Sequence, residues 1–398
     1  MTITALQSRQ PDIDYAPNRQ KWLDRTERRL RTEKLSTEMP TGFPKRLDSD
    51  LVWDGQTLPA VYDWTYHLSS EDLEEIKQAV AYFRSLNKPL GHIGPDTFPL
   101  PKLHDKLRDI SNEVHNGHGF KVVRGVPVDE YSREDNIIIY AGISSHVASE
   151  RGRQIIGRPS QMVLIHVKDL MSASEKKKIG VATYTSDQLI FHTDIGDVIS
   201  LLCLDTAAEG GCSQLASSWH VYNELAATRP DLIKTMTEDW PHDTFGATPE
   251  GYTMRPILHH QPATNSTPER VVINCMRREF TGVLATPRSK TIPPITEAQA
   301  EALDAIHFLA EKYQLRLDFQ KGDIQYVNNF SILHARESFR DTPEQQRHLL
   351  RLWLRDPEHA WEIPGPLKLR IGKVYNNLDK DTQEFPLEAE VESCKPRG

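Results

Sequence analysis

Residues 347–355 read Arg-His-Leu-Leu-Arg-Leu-Trp-Leu-Arg. In a strand, successive side chains point to opposite faces. This stretch therefore sets Arg347, Leu349, Arg351, Trp353 and Arg355 on one face and His348, Leu350, Leu352 and Leu354 on the other. The leucine stripe needs an apolar layer against it. The cations behind it need a counter-charge if they are buried. A barrel wall, backed by helices outside and bordering an anion site inside, meets both needs.

The neighbouring sequence extends the wall. Residues 315–319 and 323–328 read as two more strands turned at Gly322, and 119–127, 162–167, 190–204 and 271–274 are strand-like. Helices are expected from Ser70 as N-cap to about Leu86, after Pro101 with Leu103, Leu107, Ile110 and Val114 on one face, over 132–149, over 217–230, and over 296–313 with Thr296 as cap. Residues 22–35 are dense in charge and predict a solvated surface helix, and 58–64 predict a short strand. Residues 168–178 predict a charged loop or lid, and 240–268 a long irregular excursion. The division expected is a polar N-terminal extension over 1–45, one domain over 46–360, and a surface tail over 361–398. No repeat and no linker separates two cores, so one β-rich core ringed by helices is expected.

With 398 residues and a hydrophobic fraction of 38%, the chain can bury a sizeable core. Its net charge of −8 gives no basic surplus for nucleic acid or an anionic membrane. Cys203, Cys212, Cys275 and Cys394 follow neither a zinc nor a disulfide spacing; a Cys203–Cys212 bridge is conceivable, but free thiols in a reducing compartment are simpler. The first residues lack a signal-peptide core, and no run reaches membrane-span length. The expectation is a soluble, cytoplasmic protein. Oligomeric state is not legible; a homodimer is one arrangement allowed.

Chemistry enters at Phe191-His192-Thr193-Asp194. In an extended segment His192 and Asp194 point the same way, and His334 can supply a third corner. Two histidines and one carboxylate on one face of a metal suit Fe(II) that keeps positions open for dioxygen and a co-substrate. The tripeptide alone is weak, since the chain holds 16 histidines. His166, His220, His259, His260 and His348 are read as core or surface histidines.

The surrounding landmarks strengthen the pattern. In order they are His192-Thr193-Asp194, Gly210-Gly211-Cys212-Ser213, Gly322-Asp323-Ile324-Gln325, Asn328-Asn329 with His334, and residues 347–354. Over residues 119–356 this arrangement resembles the taurine dioxygenase-like (TauD/TfdA) family of Fe(II)- and 2-oxoglutarate-dependent oxygenases, in its fungal branch. The resemblance implies an α+β, mostly β fold: a double-stranded β-helix (jelly roll, clavaminate synthase-like) with surrounding helices. It implies His192, Asp194 and His334 as iron ligands, and Arg351 as the clamp on the distal carboxylate of 2-oxoglutarate. A guanidinium fork meets a carboxylate with two parallel bonds that lysine cannot copy. Ser213 stands where relatives place a threonine on the same carboxylate. Cys212 replaces a commoner aspartate and receives no role.

By the same resemblance, Arg347 is expected to hold an anionic group of the primary substrate or to be a structural or rim arginine; Arg355, at the strand end, is expected in a surface ion pair. Asp187, Gln188, Asn274, Arg278 and residues 252–256 are further candidates to line the pocket. The implied reaction couples decarboxylation of 2-oxoglutarate to succinate with oxidation of an unactivated C–H bond, using dioxygen. Hydroxylation is the default; desaturation or ring closure uses the same centre. The implied substrate is a small molecule such as an amino acid, a sulfonate or a specialised-metabolite intermediate. A metal-dependent hydrolase and a jelly-roll binding protein are the rival readings.

Overall fold

The computed structural model describes residues 9–155, 160–170 and 182–389. Two antiparallel sheets face each other. The larger runs Thr65–His67, Phe120–Arg124, Ile324–Asn328, Val198–Asp205, His348–Arg355, Glu150–Gly152, and Leu164–Lys168 also pairs with His348–Arg355. Only its first pair of strands is parallel. The smaller sheet runs Leu315–Leu317, Ser213–Ser217, Ile332–Arg336, Leu189–His192.

The alternation in the sequence sorts the layers. Phe120 and Val327 of the larger sheet meet Leu215, Leu315 and Ile332 of the smaller one in the space between them. Leu350, Leu352 and Leu354 point outward, onto helices Ser70–Ser85, Leu103–Asn116 and Arg133–Val147. Ala216, Leu333 and Ala335 point outward from the smaller sheet, onto Ser218–Thr228 and Glu297–Lys312. Helices thus cover both sheets. Their starts are set by side-chain caps. Ser69, one residue before the expected Ser70, forms a reciprocal capping box with Asp72, and Thr296 does so with Gln299.

Three expectations are corrected. Residues 58–64 hold a short 3-10 turn, Leu58–Ala60, and the strand follows at Thr65–His67. Pro59 at the start of that turn removes a donor that a sheet ladder would use. The charge-dense helix, Arg19–Thr32, is docked rather than solvated: Arg25 and Arg29 are buried. Arg25 meets Asp304 at 2.6 Å, and Arg29 pairs with Glu301, which also takes Arg229. A charge pattern alone does not distinguish a wet face from a buried ionic seam. The C-terminal segment also enters the core, since Trp361, Leu367 and Ile371 are buried there. Its charged residues mask apolar ones at helical spacing in Lys368–Tyr375. His334 itself lies on a further strand, Ile332–Arg336, whose sequence gives no clear period.

The charged segment expected as a lid lies largely outside the described residues, from 171 onward. No helix among the described residues is long and apolar enough to cross a membrane.

Candidate active site

Strand pairing assembles the cluster. Leu189–His192 lies against Ile332–Arg336 with His192 opposite His334, and the two rings are 4.3 Å apart at their centroids. Nε2 of His192 is 3.8 Å from Oδ1 of Asp194. One donor atom from each of His192, Asp194 and His334 lies within 4.8 Å of the others. A single ion can touch all three.

The local bonds favour an ion there. Nδ1 of His192 is bonded to the Ile190 carbonyl at 2.8 Å, so it carries the proton and leaves Nε2 as a bare donor. Nδ1 of His334 is buried without a partner among the described residues. Burial, then the neighbouring His192, lowers His334 to about 3, and burial also lowers His192. Burial works to raise Asp194, but Arg351, the two histidines and a Trp353 hydrogen bond outweigh it and hold the carboxyl at about 2. Two neutral imidazoles and one ionised carboxylate are the protonation states a divalent metal requires.

Asp194 is held on every side. Its N–H donates to Oδ1 of Asn329 at 2.8 Å, and Nδ2 of Asn329 donates to the carbonyls of Asp194 and Gly196 at 2.9 and 2.7 Å. Oδ2 of Asp194 accepts from Nε1 of Trp353 and Nη1 of Arg351, both at 3.1 Å. Position 196 must be glycine, because a Cβ there would lie 2.7 Å from Cβ of Trp353. Thr193, between His192 and Asp194, accepts from the Cys275 N–H at 3.0 Å and from Asn274 at 3.3 Å. Asn274 thus braces the site from behind.

The arginines divide differently from the expectation. Arg351 spends Nη1 on Asp194 and Nε on Gln154, at 3.1 Å each. Two of its three guanidinium nitrogens are thus engaged with Asp194 and Gln154. Arg347 is only 4% exposed, and its Nη1 has no partner among the described residues. It lies over the Phe339 ring, 5.4 Å from the centroid. It also covers Gly211, where a Cβ would come 3.0 Å from Cδ of Arg347. Gly211 has φ +73°, which a glycine accepts without strain. The burial that makes Arg347 unlike a rim residue also lowers its pKa to about 10. Ser213 is buried two residues on, in register with Arg336 across the small sheet. Arg355 pairs with Asp197 at 2.9 Å, and that partner is buried, so the pair is not a surface one.

The remaining candidates lie elsewhere or act through backbone. Residues 252–255 form a separate two-stranded ribbon, where Arg255 pairs with Glu279 at 3.0 Å. Asp187 offers its carbonyl to Arg336. His166 and His348 bond to each other at 2.7 Å on the helix side of the large sheet. His260 pairs with Glu269, and His220 packs on Tyr313. The sequence reading misses Asn329, Trp353, Gln154 and Arg336 as site residues. Trp353 shares the strand face of Arg351, and Asn329 stands in a quoted landmark, so both carried a signal. Gln154 carried none.

Residues 86–353 match the family described as taurine catabolism dioxygenase TauD, TfdA family. A taurine hydroxylase-like protein of Stachybotrys chartarum is 37% identical over 350 residues, covering 85% of this chain and 87% of that protein. The FR-33289 synthase of Streptomyces rubellomurinus is 22% identical over 320 residues, covering 79% and 92%. Among solved structures, an asparagine oxygenase complex superposes with a TM-score of 0.53 at 14% identity, covering 75% of this chain and 98% of that one. The non-haem iron oxygenase OrfP gives 0.52 at 13%, covering 80% and 98%. These two likenesses establish the jelly-roll fold.

Proposed function

Because the chain belongs to the taurine catabolism dioxygenase TauD, TfdA family and is an Fe(II)- and 2-oxoglutarate-dependent dioxygenase, we propose that His192, Asp194 and His334 hold its iron. Arg347, with Ser213, takes the distal carboxylate of 2-oxoglutarate in this reading, and Arg351 does not. The family's chemistry sets aside the hydrolase and the binding-protein alternatives. The observation that carries the residue assignment is the pairing of an ionised Asp194 and two neutral imidazoles with a buried guanidinium whose Nη1 has no partner among the described residues.

When bound, iron with 2-oxoglutarate and dioxygen supplies the oxidising power for an unactivated C–H bond, with succinate and carbon dioxide as co-products. The protein supplies placement. Nδ1 of His192 keeps its proton on the Ile190 carbonyl, which fixes the ring. Arg351 and Trp353 keep Oδ2 of Asp194 occupied and leave Oδ1 toward the histidines. Arg347 sits among Phe339, Gly211 and Cys203, where water is largely excluded and a carboxylate is attracted strongly. A buried cation of this kind is costly without an anion, and 2-oxoglutarate brings one.

The substrate is a small molecule, and hydroxylation is the default outcome. A sulfonate or amino-acid substrate fits the name of the fungal relative. A reducing, cytoplasmic setting fits Fe(II) and the thiols of Cys203, Cys212 and Cys275, which are free among the described residues. The direct test is succinate release by the purified protein. It should require both Fe(II) and 2-oxoglutarate, and it should stop when Arg347 becomes leucine. Release that ignores either addition would refute the reaction; release unchanged in the Arg347 variant would refute the assignment of that residue.

A further inference from the structure

The C-terminal helix reaches the stretch that carries Asp194. Leu367, Ile371 and Val374 recur at helical spacing and are buried, which turns one face of Lys368–Tyr375 toward the core. The end of that helix is fastened to the chain beside the edge strand Glu150–Gly152. The Arg153 N–H donates to the Val374 carbonyl at 2.9 Å, and Nη2 of Arg153 donates to the carbonyls of Asn376 and Asn377 at 2.8 and 3.0 Å. A guanidinium on the free carbonyls at a helix end is a favourable cap. Val374 and Tyr375 then pack with Ile195, Ile199 and Trp353.

This placement sets the Tyr375 hydroxyl between two backbones. The ladder joining Val198–Asp205 to His348–Arg355 runs as far as Val198 opposite Leu354. One residue further, the Asp197 N–H donates to Oη of Tyr375, and the hydroxyl donates to the Leu354 carbonyl, both at 2.9 Å. A phenol has one proton to give and lone pairs to accept with, so it completes both bonds at once. It takes the place of a rung that the two strands do not make directly. The Asp197 carbonyl accepts from the Asn329 N–H at 2.9 Å, and the Asn329 side chain holds Asp194 and Gly196. Asn329, Arg351, Trp353 and Arg355 thus tie residues 194–197 from within the jelly roll, and Tyr375 ties them from the helix packed outside it.

We propose that Tyr375 is a positioning residue for the iron. Its hydroxyl fixes the backbone at Asp197, that backbone and Asn329 fix Gly196 and Asp194, and the direction of the Asp194 carboxylate follows. The C-terminal segment, expected as a surface tail, then sets how tightly the metal is held. The inference rests on Asp194 being an iron ligand. A side chain bonded directly to a ligand changes metal affinity by about 10- to 100-fold. Tyr375 acts one step further back, so its share is about three- to tenfold.

The test uses the full chain, metal-free and anaerobic, titrated with Fe(II). Tyr375→Phe removes the hydroxyl and keeps the ring against Ile195 and Trp353. Val374→Ala loosens the same turn of helix and keeps the hydroxyl. Both should lower the urea midpoint, since one leaves two backbone groups without their partner and the other opens a cavity. Only Tyr375→Phe should weaken Fe(II) binding, by about three- to tenfold, while Val374→Ala stays within about twofold of wild type. Wild-type Fe(II) affinity in Tyr375→Phe would overturn the proposal. So would an equal loss in both variants, which would make the helix a matter of stability alone. Asp194→Ala tests the underlying reading separately. If it binds Fe(II) as wild type does, Asp194 is no ligand and the role of Tyr375 falls with it. If it loses the metal while Tyr375→Phe does not weaken it, only the role of Tyr375 falls.

Discussion

Nη1 of Arg351 and Oδ2 of Asp194 are 3.1 Å apart. This one contact separates two arginines that share a strand face. It engages Arg351 with Asp194 and leaves Arg347, four residues earlier, as a buried guanidinium whose Nη1 has no partner among the described residues.

The two arginines should therefore fail differently. Arg347→Leu should cost about 2–5 kcal/mol of 2-oxoglutarate binding, the range for losing one partner of a buried charge pair. Arg351→Leu should leave that affinity nearly unchanged and weaken iron instead, since Asp194 loses a support. Titration of 2-oxoglutarate and of Fe(II) into each variant separates the cases. The reverse pattern would return the clamp to Arg351.

Asn329 should behave as a ligand support. Asn329→Ala removes three buried hydrogen bonds around Asp194 and Gly196. Global stability should fall by about 3 kcal/mol, and iron affinity by about 10- to 100-fold. Denaturant unfolding of the metal-free protein reads the first and metal titration the second. Unchanged metal affinity would mean that Trp353 and Arg351 hold Asp194 unaided.

The N-terminal helix should contribute to stability through its buried ions. Arg29 pairs with Glu301, whose side chain is fully buried. Arg29→Ala leaves Arg229 on that carboxylate, so the loss should sit at the low end of the buried-pair range, about 3 kcal/mol. A urea midpoint that does not move would restore the reading of this helix as a solvated one.

Acid should destabilise the fold before the site's carboxylate titrates. Burial, then the adjacent His166, lowers His348 to about 3, from an ordinary value of 6.5. A folded pKa below the unfolded one means the unfolded chain binds more protons in between. Stability is therefore full above pH 6.5 and falls as pH drops toward 3, at up to about 1.4 kcal/mol per pH unit for one proton. Melting temperatures from pH 7.5 to 4.5 should fall less steeply in His348→Leu than in wild type. Parallel curves would exclude His348 as a contributor.

The residues also show why some features were legible in sequence and others were not. The strand at residues 347–355 was readable because its leucines must face an apolar layer, and Leu350, Leu352 and Leu354 do pack on helices. His192 and Asp194 were readable because two residues fix their relation. His334 is joined to them only by strand pairing, so its place depended on the landmarks around it. The division between Arg347 and Arg351 was not readable. Alternation places both on one face and is silent about which meets Asp194 first. The N-terminal helix misled for a related reason, since Arg25 and Arg29 find their acids about 270 residues away.

His192, Asp194 and His334 should together bind one iron. Anaerobic titration of Fe(II) into the metal-free protein tests it most directly. Wild type should bind one ion per chain, and His334→Ala, which removes the ligand that only the fold supplies, should lose affinity by at least about 100-fold. Full occupancy in His334→Ala at the wild-type affinity would contradict the account.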